Sequence, residues 1–208
     1  MTSKSRNISE KKHIDKVTLK PASLLAPVPV VMLSVKGKDA DDVVTLAWCG
    51  TVNSDPPMLS VSIRKSRFSH GLLSESGKAC VNLVSGALCA ACDYCGVKSG
   101  RDTDKFADMN LTKVPSPLYG VPMIGESPVC LECSVVNVTE LGSHDMFLMK
   151  IDGVYVSRQI MNEKGAVDFK KADLVAYCHG EYYQLGGILG FFGYSVAGPD
   201  ATARRKRK

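Results

Sequence analysis

The sequence predicts a mainly β protein, an antiparallel β-barrel with short flanking helices. Segments rich in β-branched or alternating apolar residues recur along the chain, for example at residues 43–52 and 58–64. Closely spaced turn residues separate these segments, as at 53–57, and sustained helical periodicity is scarce. Many short strands with little helix favour an antiparallel barrel over a doubly wound α/β sheet.

The elements follow one another in a regular order. A proline-rich extended segment at 21–29 leads into the first strand. The predicted strands lie at residues 30–35, 43–52, 58–64, 80–84, 129–139, 145–156 and 174–177. A helix is predicted at 69–76 with Ser69 as its N-cap, and one or two helical turns follow in the segment 87–106, before a polar loop at 99–102. The glycine-rich residues 185–193 are expected to pack as a terminal element.

Length and charge indicate one domain between two polar ends. The chain has 208 residues, of which 45% are hydrophobic and 23% charged, enough for one folded core. We expect a mobile lead-in at 1–20, a domain at 21–198 and a basic tail at 199–208. The five basic residues at 204–208 equal the whole formal net charge of +5. Because no aromatic residues interleave with them to stack on bases, nucleic acid is an unlikely partner.

The chain shows no targeting or membrane signal. No segment approaches the roughly 20 continuous apolar residues of a membrane helix, and residues 1–15 lack the apolar run of a signal peptide. These patterns predict a cytoplasmic protein with no membrane partner. Its eight cysteines are then expected as reduced thiols rather than a disulfide framework.

Two cysteine groups permit a metal site as an alternative. Cys89, Cys92 and Cys95 recur at intervals of three residues, and Cys130 and Cys133 form a pair, spacings at which thiolates hold zinc or part of an iron-sulfur cluster. The pair lies in a predicted strand, where residues three apart face opposite sides. We therefore predict small buried side chains first, no metal, and keep zinc or iron-sulfur as the alternative.

The sequence lacks the motifs of several large enzyme classes. It has no GxGxxG after a strand and no GxSxG, and no two histidines have the spacing of a helical metal pair. His144 lies on a predicted loop just before a strand, where an imidazole meets a ligand as a donor or acid. The alternative is a loop histidine paired with Asp145.

Several stretches in a fixed order carry a family resemblance. They are TLAWCGTVNSDPPMLSVSIRKSRFSH at 45–70, YCG at 94–96, SGRDTDKF at 99–106, ESPVCLEC at 126–133, ELGSHDMF at 140–147 and AYCHGEYYQLG at 176–186. With these stretches the chain resembles the flavin reductase-like family with the FMN-binding split barrel, most closely its flavoredoxin-type branch. The resemblance covers nearly all of residues 25–196.

The resemblance implies a noncovalently bound FMN at the interface of a homodimer. Donors for the phosphate and ribityl chain are expected from Thr51, Asn53, Ser54, Ser62, Arg64, Ser69 and Asn82. By the same similarity Trp48, Lys105, His144 and Tyr177 surround the flavin, and Phe106 belongs to the predicted cofactor-binding set. Apart from the resemblance, the polar residues are interpreted as strand-edge and turn groups, and the two aromatic residues as core.

The resemblance also implies the chemistry. Lys105 is expected to stabilise negative charge on a reduced flavin and His144 to donate a hydrogen bond or proton; the alternatives are a solvated lysine and a loop histidine. The predicted function is an oxidoreductase that passes electrons from NADH or NADPH through FMN to free flavin, a ferric complex or a protein acceptor. The alternative is an FMN-binding electron carrier without its own nicotinamide site.

Overall fold

The computed structural model describes residues 15–198. Most of the lead-in predicted at 1–20 and all of the tail predicted at 199–208 lie outside the described residues. Residues 15–20 are exposed and form neither helix nor strand.

The described residues form twelve strands and three α-helices. The strands are β1 (Val28–Pro29), β2 (Val31–Val35), β3 (Asp42–Leu46), β4 (Cys49–Ser54), β5 (Pro57–Arg64), β6 (Lys78–Leu83), β7 (Lys113–Pro115), β8 (Pro122–Ile124), β9 (Val129–Glu140), β10 (His144–Val156), β11 (Val175–Cys178) and β12 (Glu181–Gln184). The helices are α1 (Phe68–Ser76), α2 (Cys89–Val97) and α3 (Lys105–Asp108), with short 3-10 turns at Gly86–Leu88, Arg158–Ile160 and Tyr194–Val196.

Seven strands form one antiparallel sheet in the order β3-β2-β6-β9-β10-β5-β4. The sheet wraps into a barrel, since one apolar cluster combines side chains from β2, β3, β5, β6, β9 and β10. β5 shows how the sequence builds the wall: Leu59, Val61 and Ile63 are buried, while Ser60 and Ser62 between them stay partly exposed. The predicted antiparallel barrel is confirmed.

A second apolar cluster covers the outer face of the barrel. Met32 and Val43 point away from the interior and pack with Cys92 and Cys95 of α2 and Phe106 of α3. The same cluster includes β11, which belongs to a separate three-stranded sheet of order β1-β11-β12. This layer of short helices and strands fixes α2 against the barrel.

The structure corrects three local predictions. The predicted strand 43–52 is interrupted at Ala47 and Trp48, so the chain turns a corner between β3 and β4. Helix α1 begins at Phe68 with Arg67 as its N-cap, and Ser69 is a buried residue inside it. The segment 185–193 does not pack as an element, because four of its large apolar side chains, Leu185, Ile188, Leu189 and Phe192, are exposed. The hairpin β7–β8 and strand β12 were not predicted.

The cysteines are free thiols, and Cys130 and Cys133 occupy different apolar clusters, as their strand spacing predicts. Burial raises the pKa of Cys92 to about 12 and that of Cys95 to about 11, which opposes the thiolate that a metal requires. Among the described residues no group of three or more histidine, cysteine or acidic side chains is arranged to hold a metal ion. Across 15–198 the helices are also too short and polar to cross a membrane.

The barrel interior yields a stability prediction. Phe147 is fully buried in the apolar cluster of β10, so Phe147→Ala should lower the free energy of unfolding by about 3–5 kcal/mol. Chemical denaturation measured by circular dichroism tests this value. Phe169→Ala is the matched control, because that ring is 57% exposed and its loss should change stability by less than about 1 kcal/mol. Equal losses in the two variants would contradict the assignment of Phe147 to the core.

Candidate functional site

A cavity of about 370 Å³ lies outside the barrel, at the corner between β3 and β4. We call it the corner cavity. It is lined by Val30, Thr45, Leu46, Ala47, Trp48, Ser62, Arg64, Arg67, Asp93, Gly96, Val97, His144, Tyr177 and Tyr182. The backbone amide of Ser62 donates to the carbonyl of Trp48 at 2.9 Å, so β5 holds the corner in place. The Trp48 ring is 48% exposed and gives the cavity a flat wall.

Strand pairing brings the polar groups of this cavity together. His144 and Arg64 are directly opposite partners of β10 and β5, so their side chains lie on the same outer face. The Trp48 and His144 rings are 4.5 Å apart between centroids and tilted by 41°. A cation, an imidazole and an indole therefore meet at one place.

The environment of His144 favours the neutral imidazole. Burial lowers the pKa of His144, and the nearby Arg64 charge lowers it further. Its Nδ1 lies 2.8 Å from the Ser143 hydroxyl. At neutral pH this side chain is thus uncharged and offers one N–H donor and one acceptor.

Besides the wall that Trp48 provides, the corner cavity has a wall formed by α2 and the β11–β12 hairpin. The rings of Tyr177 and Tyr182 pack edge to face with centroids 5.5 Å apart. The Tyr182 hydroxyl donates to Asp93 Oδ1 at 3.1 Å, which ties the hairpin to α2. The Trp48 ring and the two tyrosine rings give the cavity aromatic surfaces that suit a planar ligand.

A second cavity of about 290 Å³ shares Arg64 and Arg67 with the first. We call it the basic cavity. It is lined by Asp42, Val44, Arg64, Ser66, Arg67, Phe68, Ser69, Lys98, Ser99, Gly100, Arg101 and Lys105. Four cations of this cavity have no carboxylate partner in an ion pair within residues 15–198: Arg64, Arg67, Lys98 and Arg101. The cavity therefore carries excess positive charge, suited to an anion.

The base of the basic cavity contains a buried ion pair. Lys105 Nζ lies 3.0 Å from Asp42 Oδ1, and both side chains are almost fully buried. The ammonium also donates to the carbonyls of Val43 at 2.6 Å and Cys95 at 3.5 Å. The hydroxyl of Ser69 donates to Asp42 Oδ2. Two residues predicted for the cofactor, Ser69 and Lys105, thus contact protein oxygens at this point.

Five predicted residues line neither cavity. Thr51, Asn53 and Ser54 are exposed on β4, and the Asn53 amide donates to the Pro56 carbonyl at 2.8 Å. Their contact with a cofactor stays a prediction. A further cavity of about 620 Å³, between the loops at 36–41 and 100–104, contains none of the predicted residues.

Asn82 and Phe106 are the other two predicted residues that line neither the corner cavity nor the basic cavity. Asn82 is fully buried, and its amide nitrogen has the Met32 carbonyl, the Ser34 hydroxyl and the Cys80 carbonyl within 3.2 Å. Its Oδ1 accepts from the Ile124 amide at 3.0 Å. Phe106 is 2% exposed in the outer apolar cluster. In this chain the Asn82 amide holds strands together, and the Phe106 ring packs in the core.

The alternative interpretation of His144 as a partner of Asp145 is wrong. The two residues are neighbours on β10 and point to opposite faces. Asp145 instead accepts a hydrogen bond from His70 Nε2 at 2.8 Å and lies 3.4 Å from Lys65 Nζ.

Several lining residues were missed by the sequence analysis. Arg67 lies three residues after Arg64 in the recognised stretch, so its place near the same cavity was open to inference. Asp93 and Tyr182 are separated by 89 positions, and no local pattern joins them. Arg101 lies in the predicted polar loop, where its charge was the available signal.

The fold has counterparts among solved structures. Flavoredoxin of Desulfovibrio vulgaris (Miyazaki F) is similar with a TM-score of 0.80 and 30% sequence identity, covering 85% of this chain and 97% of that chain. Flavoredoxin from Methanosarcina acetivorans is similar with a TM-score of 0.81 and 28% identity, covering 88% of this chain and 100% of that chain.

A curated relative carries an enzyme name. The FMN reductase (NADH) RutF of Stutzerimonas stutzeri (strain A1501) is 25% identical over 105 residues, which are 50% of this chain and 58% of that protein. The match therefore spans little more than half of the relative.

The sequence also matches a model of a protein family over most of its length. The flavin reductase like domain aligns with residues 24–186, which include both cavities and the strands of the split β-barrel. This match confirms the resemblance seen in the sequence, and the chain belongs to the flavin reductase-like family.

Proposed function

We propose that this protein binds FMN, with the flavin ring in the corner cavity and the phosphate in the basic cavity. One observation carries the proposal: an aromatic-walled cavity opens beside a cationic one, and Arg64 and Arg67 line both. A planar ring that bears an anionic tail has this combination of shape and charge. The corner cavity also has a volume typical of small-molecule sites.

The residues present fit the ring. Trp48 and Tyr177 supply flat apolar surfaces. Ser62 also lines the corner cavity and lies on β5, two residues before Arg64. Neutral His144, 4.5 Å from the indole ring, offers a hydrogen bond without adding a charge to the site. These contacts orient the ring and exclude water from one of its faces.

The phosphate end is assigned to the cations of the basic cavity. Guanidinium groups match phosphate oxygens with paired hydrogen bonds, and Arg64, Arg67 and Arg101 line this cavity. Arg101 is held in place by donation from Nη1 to the Ser66 carbonyl at 3.0 Å and by the Phe68 ring, 5.5 Å from its guanidinium carbon. Ser69 and Lys105 lie at the base of the same cavity.

The proposed activity is electron transfer from NADH or NADPH to free flavin, a ferric complex or a protein acceptor. When bound, FMN would supply the redox chemistry of a two-electron transfer that leaves NAD(P)⁺ and a reduced acceptor. The chain contributes binding, orientation and charge. His144 would hold or donate a proton at its ring nitrogen, and the arginines would offset negative charge near the cofactor.

An electron carrier without a nicotinamide site is the second candidate. The similarity to the two flavoredoxins extends over nearly all of their chains at 28–30% identity, whereas the similarity to the FMN reductase covers 58% of that protein at 25% identity. The more complete similarity to the flavoredoxins is the observation that supports the electron carrier as a second candidate. In that case the same two cavities would hold FMN, and electrons would arrive from another protein.

We also propose that the chain forms a homodimer. Six large apolar side chains in the described residues after β12 are exposed, and none of them belongs to a strand or an α-helix. They are Leu185, Ile188, Leu189, Phe192, Tyr194 and Val196. A contiguous apolar segment of this kind is rare on a monomer and suits a symmetric contact with a second copy. Thr51, Asn53 and Ser54 on exposed β4 would then be available to the cofactor of the second copy.

The first test is an absorbance spectrum of the purified protein followed by anaerobic addition of NADH and, separately, NADPH. We expect flavin bands, either on purification or after addition of FMN, that bleach with a reduced nicotinamide. Bands that persist with both nucleotides would favour the electron carrier. A colourless protein that takes up no FMN would rule out both functions.

Arg64→Leu tests the assignment of the two ends of the cofactor. Loss of a charge-assisted contact with phosphate should weaken FMN binding by about 10- to 100-fold, while riboflavin, which lacks the phosphate, should bind nearly as before. The same variant should raise the pKa of His144, because the arginine charge lowers that pKa in the native protein. Fluorescence titration and an NMR pH titration of the histidine ring measure the two effects.

Arg158→Leu is the control for this variant, since Arg158 lies in a 3-10 turn and lines neither cavity. It should leave FMN binding and the His144 titration unchanged. Equal losses of FMN and riboflavin in Arg64→Leu would contradict the placement of the phosphate.

The dimer is tested by light scattering coupled to size-exclusion chromatography. The native protein should elute with the mass of two chains, and the double variant Leu189→Asp/Phe192→Asp with that of one, because two charges oppose burial of the segment. Leu118→Asp, at another exposed leucine, should remain dimeric. A native protein with the mass of one chain would refute the proposal.

A further inference from the structure

Among residues 15–198, Asp42 is the one carboxylate that lines the basic cavity, and the sequence analysis did not single it out. It is the first residue of β3 and is 2% exposed. A buried carboxylate at the base of an anion site opposes anion binding by charge alone. Its presence there therefore calls for another role than direct contact with the phosphate.

The partners of Asp42 come from separate elements. Oδ2 accepts from the hydroxyl of Ser69 on α1, and Oδ1 lies 3.0 Å from Lys105 Nζ on α3. Among the described residues Oδ1 has no hydrogen bond of good geometry, so the ion pair is its principal contact. Through Lys105 the same cluster reaches the Cys95 carbonyl in α2. One carboxylate thus joins β3 to three helices.

The donors of Ser69 and Lys105 are already used within this cluster. Ser69 has a single O–H, and it is directed at Asp42. Lys105 has three N–H groups, and the oxygens of Asp42, Val43 and Cys95 lie at 3.0, 2.6 and 3.5 Å. Ser69 therefore retains no donor for the phosphate unless the cluster opens, and the Lys105 ammonium retains one N–H at most while its charge is paired with Asp42.

The loop that carries Arg101 rests on the same carboxylate. A Cβ at Gly100 would lie 2.3 Å from Asp42 Oδ1 and 2.8 Å from Phe68 Cδ1, which is closer than any side chain tolerates. The loop backbone therefore lies directly against the ion pair. From this position Arg101 reaches the Ser66 carbonyl and the Phe68 ring.

We propose that Asp42 is a positioning residue for the phosphate end of the flavin, and that Lys105 acts through it rather than on the cofactor. The carboxylate cancels the charge of Lys105 and holds α1, α3 and the Gly100 loop in register, so that Arg64, Arg67 and Arg101 converge on the anion. This inference rests on the proposed binding of FMN. It departs from the sequence-based expectation that the Lys105 ammonium itself faces the flavin.

A double-variant cycle of Asp42→Asn and Lys105→Met tests the proposal. Removal of one partner leaves the other buried without its counter-charge, whereas removal of both restores a neutral pair. Each single variant should reduce the preference for FMN over riboflavin by about tenfold or more, and the double variant should return to within about threefold of the native ratio. Dissociation constants for both flavins, measured by fluorescence quenching, give this ratio.

The ratio separates positioning from a general loss of structure, because a damaged fold would weaken both flavins alike. The proposal would be overturned if Lys105→Met lost FMN binding, Asp42→Asn kept it and the double variant showed no recovery. That result would favour a direct contact between Lys105 and the cofactor. Unchanged or tighter FMN binding by Asp42→Asn would overturn it as well. A native protein that binds no FMN would instead defeat the proposed function.

A second variant decides the question if the single variants fail to fold. Gly100→Ala keeps every charge but places a methyl group against Asp42 and Phe68, so it should also reduce the ratio of FMN to riboflavin affinity. Gly71→Ala, on α1, is the matched control, because its added Cβ meets nothing within 4 Å. It should keep the native ratio. Equal ratios in the two alanine variants would refute the positioning role.

Discussion

The antiparallel register of β5 against β10 is the constraint on which the rest of the structure depends. It places Arg64 opposite His144 and Phe147 opposite Val61, so the same pairing defines the outer polar face and the apolar interior. A slip of one residue would exchange the two faces. Leu59 and Ile63 would then leave the barrel, and Arg64 would enter it. The stability of the core and the geometry of the site are therefore consequences of one ladder of backbone hydrogen bonds.

The two cavities divide the work between apolar surface and charge. The corner cavity is built from aromatic side chains and an imidazole that burial keeps neutral, whereas four cations of the basic cavity, Arg64, Arg67, Lys98 and Arg101, have no ion-pair partner among the described residues. Arg64 and Arg67 belong to both. A ligand with one flat and one charged end would place its ring against the aromatic side chains and its anion in the basic cavity, where Lys98 and Arg101 add to the charge of the two shared arginines.

Much of the fold follows from local pattern, while the site depends on contacts that local pattern does not contain. The alternation of apolar and polar residues along β5 predicts that the side chains of Ser62 and Arg64 face outward. The corner at Trp48 was not predicted, since β-branched residues lie on both sides of it, at 43–45 and 51–52, and no glycine, proline or polar turn residue stands at 47–48. Asn82 was predicted as a donor for the phosphate and ribityl chain; in the structure its amide contacts protein groups, among them Ile124 of the β7–β8 hairpin, an element that was not predicted. The resemblance supplied the family and named Trp48 and His144, whose rings the structure brings together, but not the contacts of Asp42.

The thiols of the barrel and its outer layer have a consequence for the lifetime of the protein in an oxidising cell. Sulfur oxidation proceeds through the thiolate and requires access, and Cys80, Cys92, Cys95, Cys130 and Cys133 are buried in apolar surroundings that raise their pKa. An oxidant would therefore reach these five sulfurs only when the barrel or its outer layer opens, so their oxidation is limited by local unfolding of the protein.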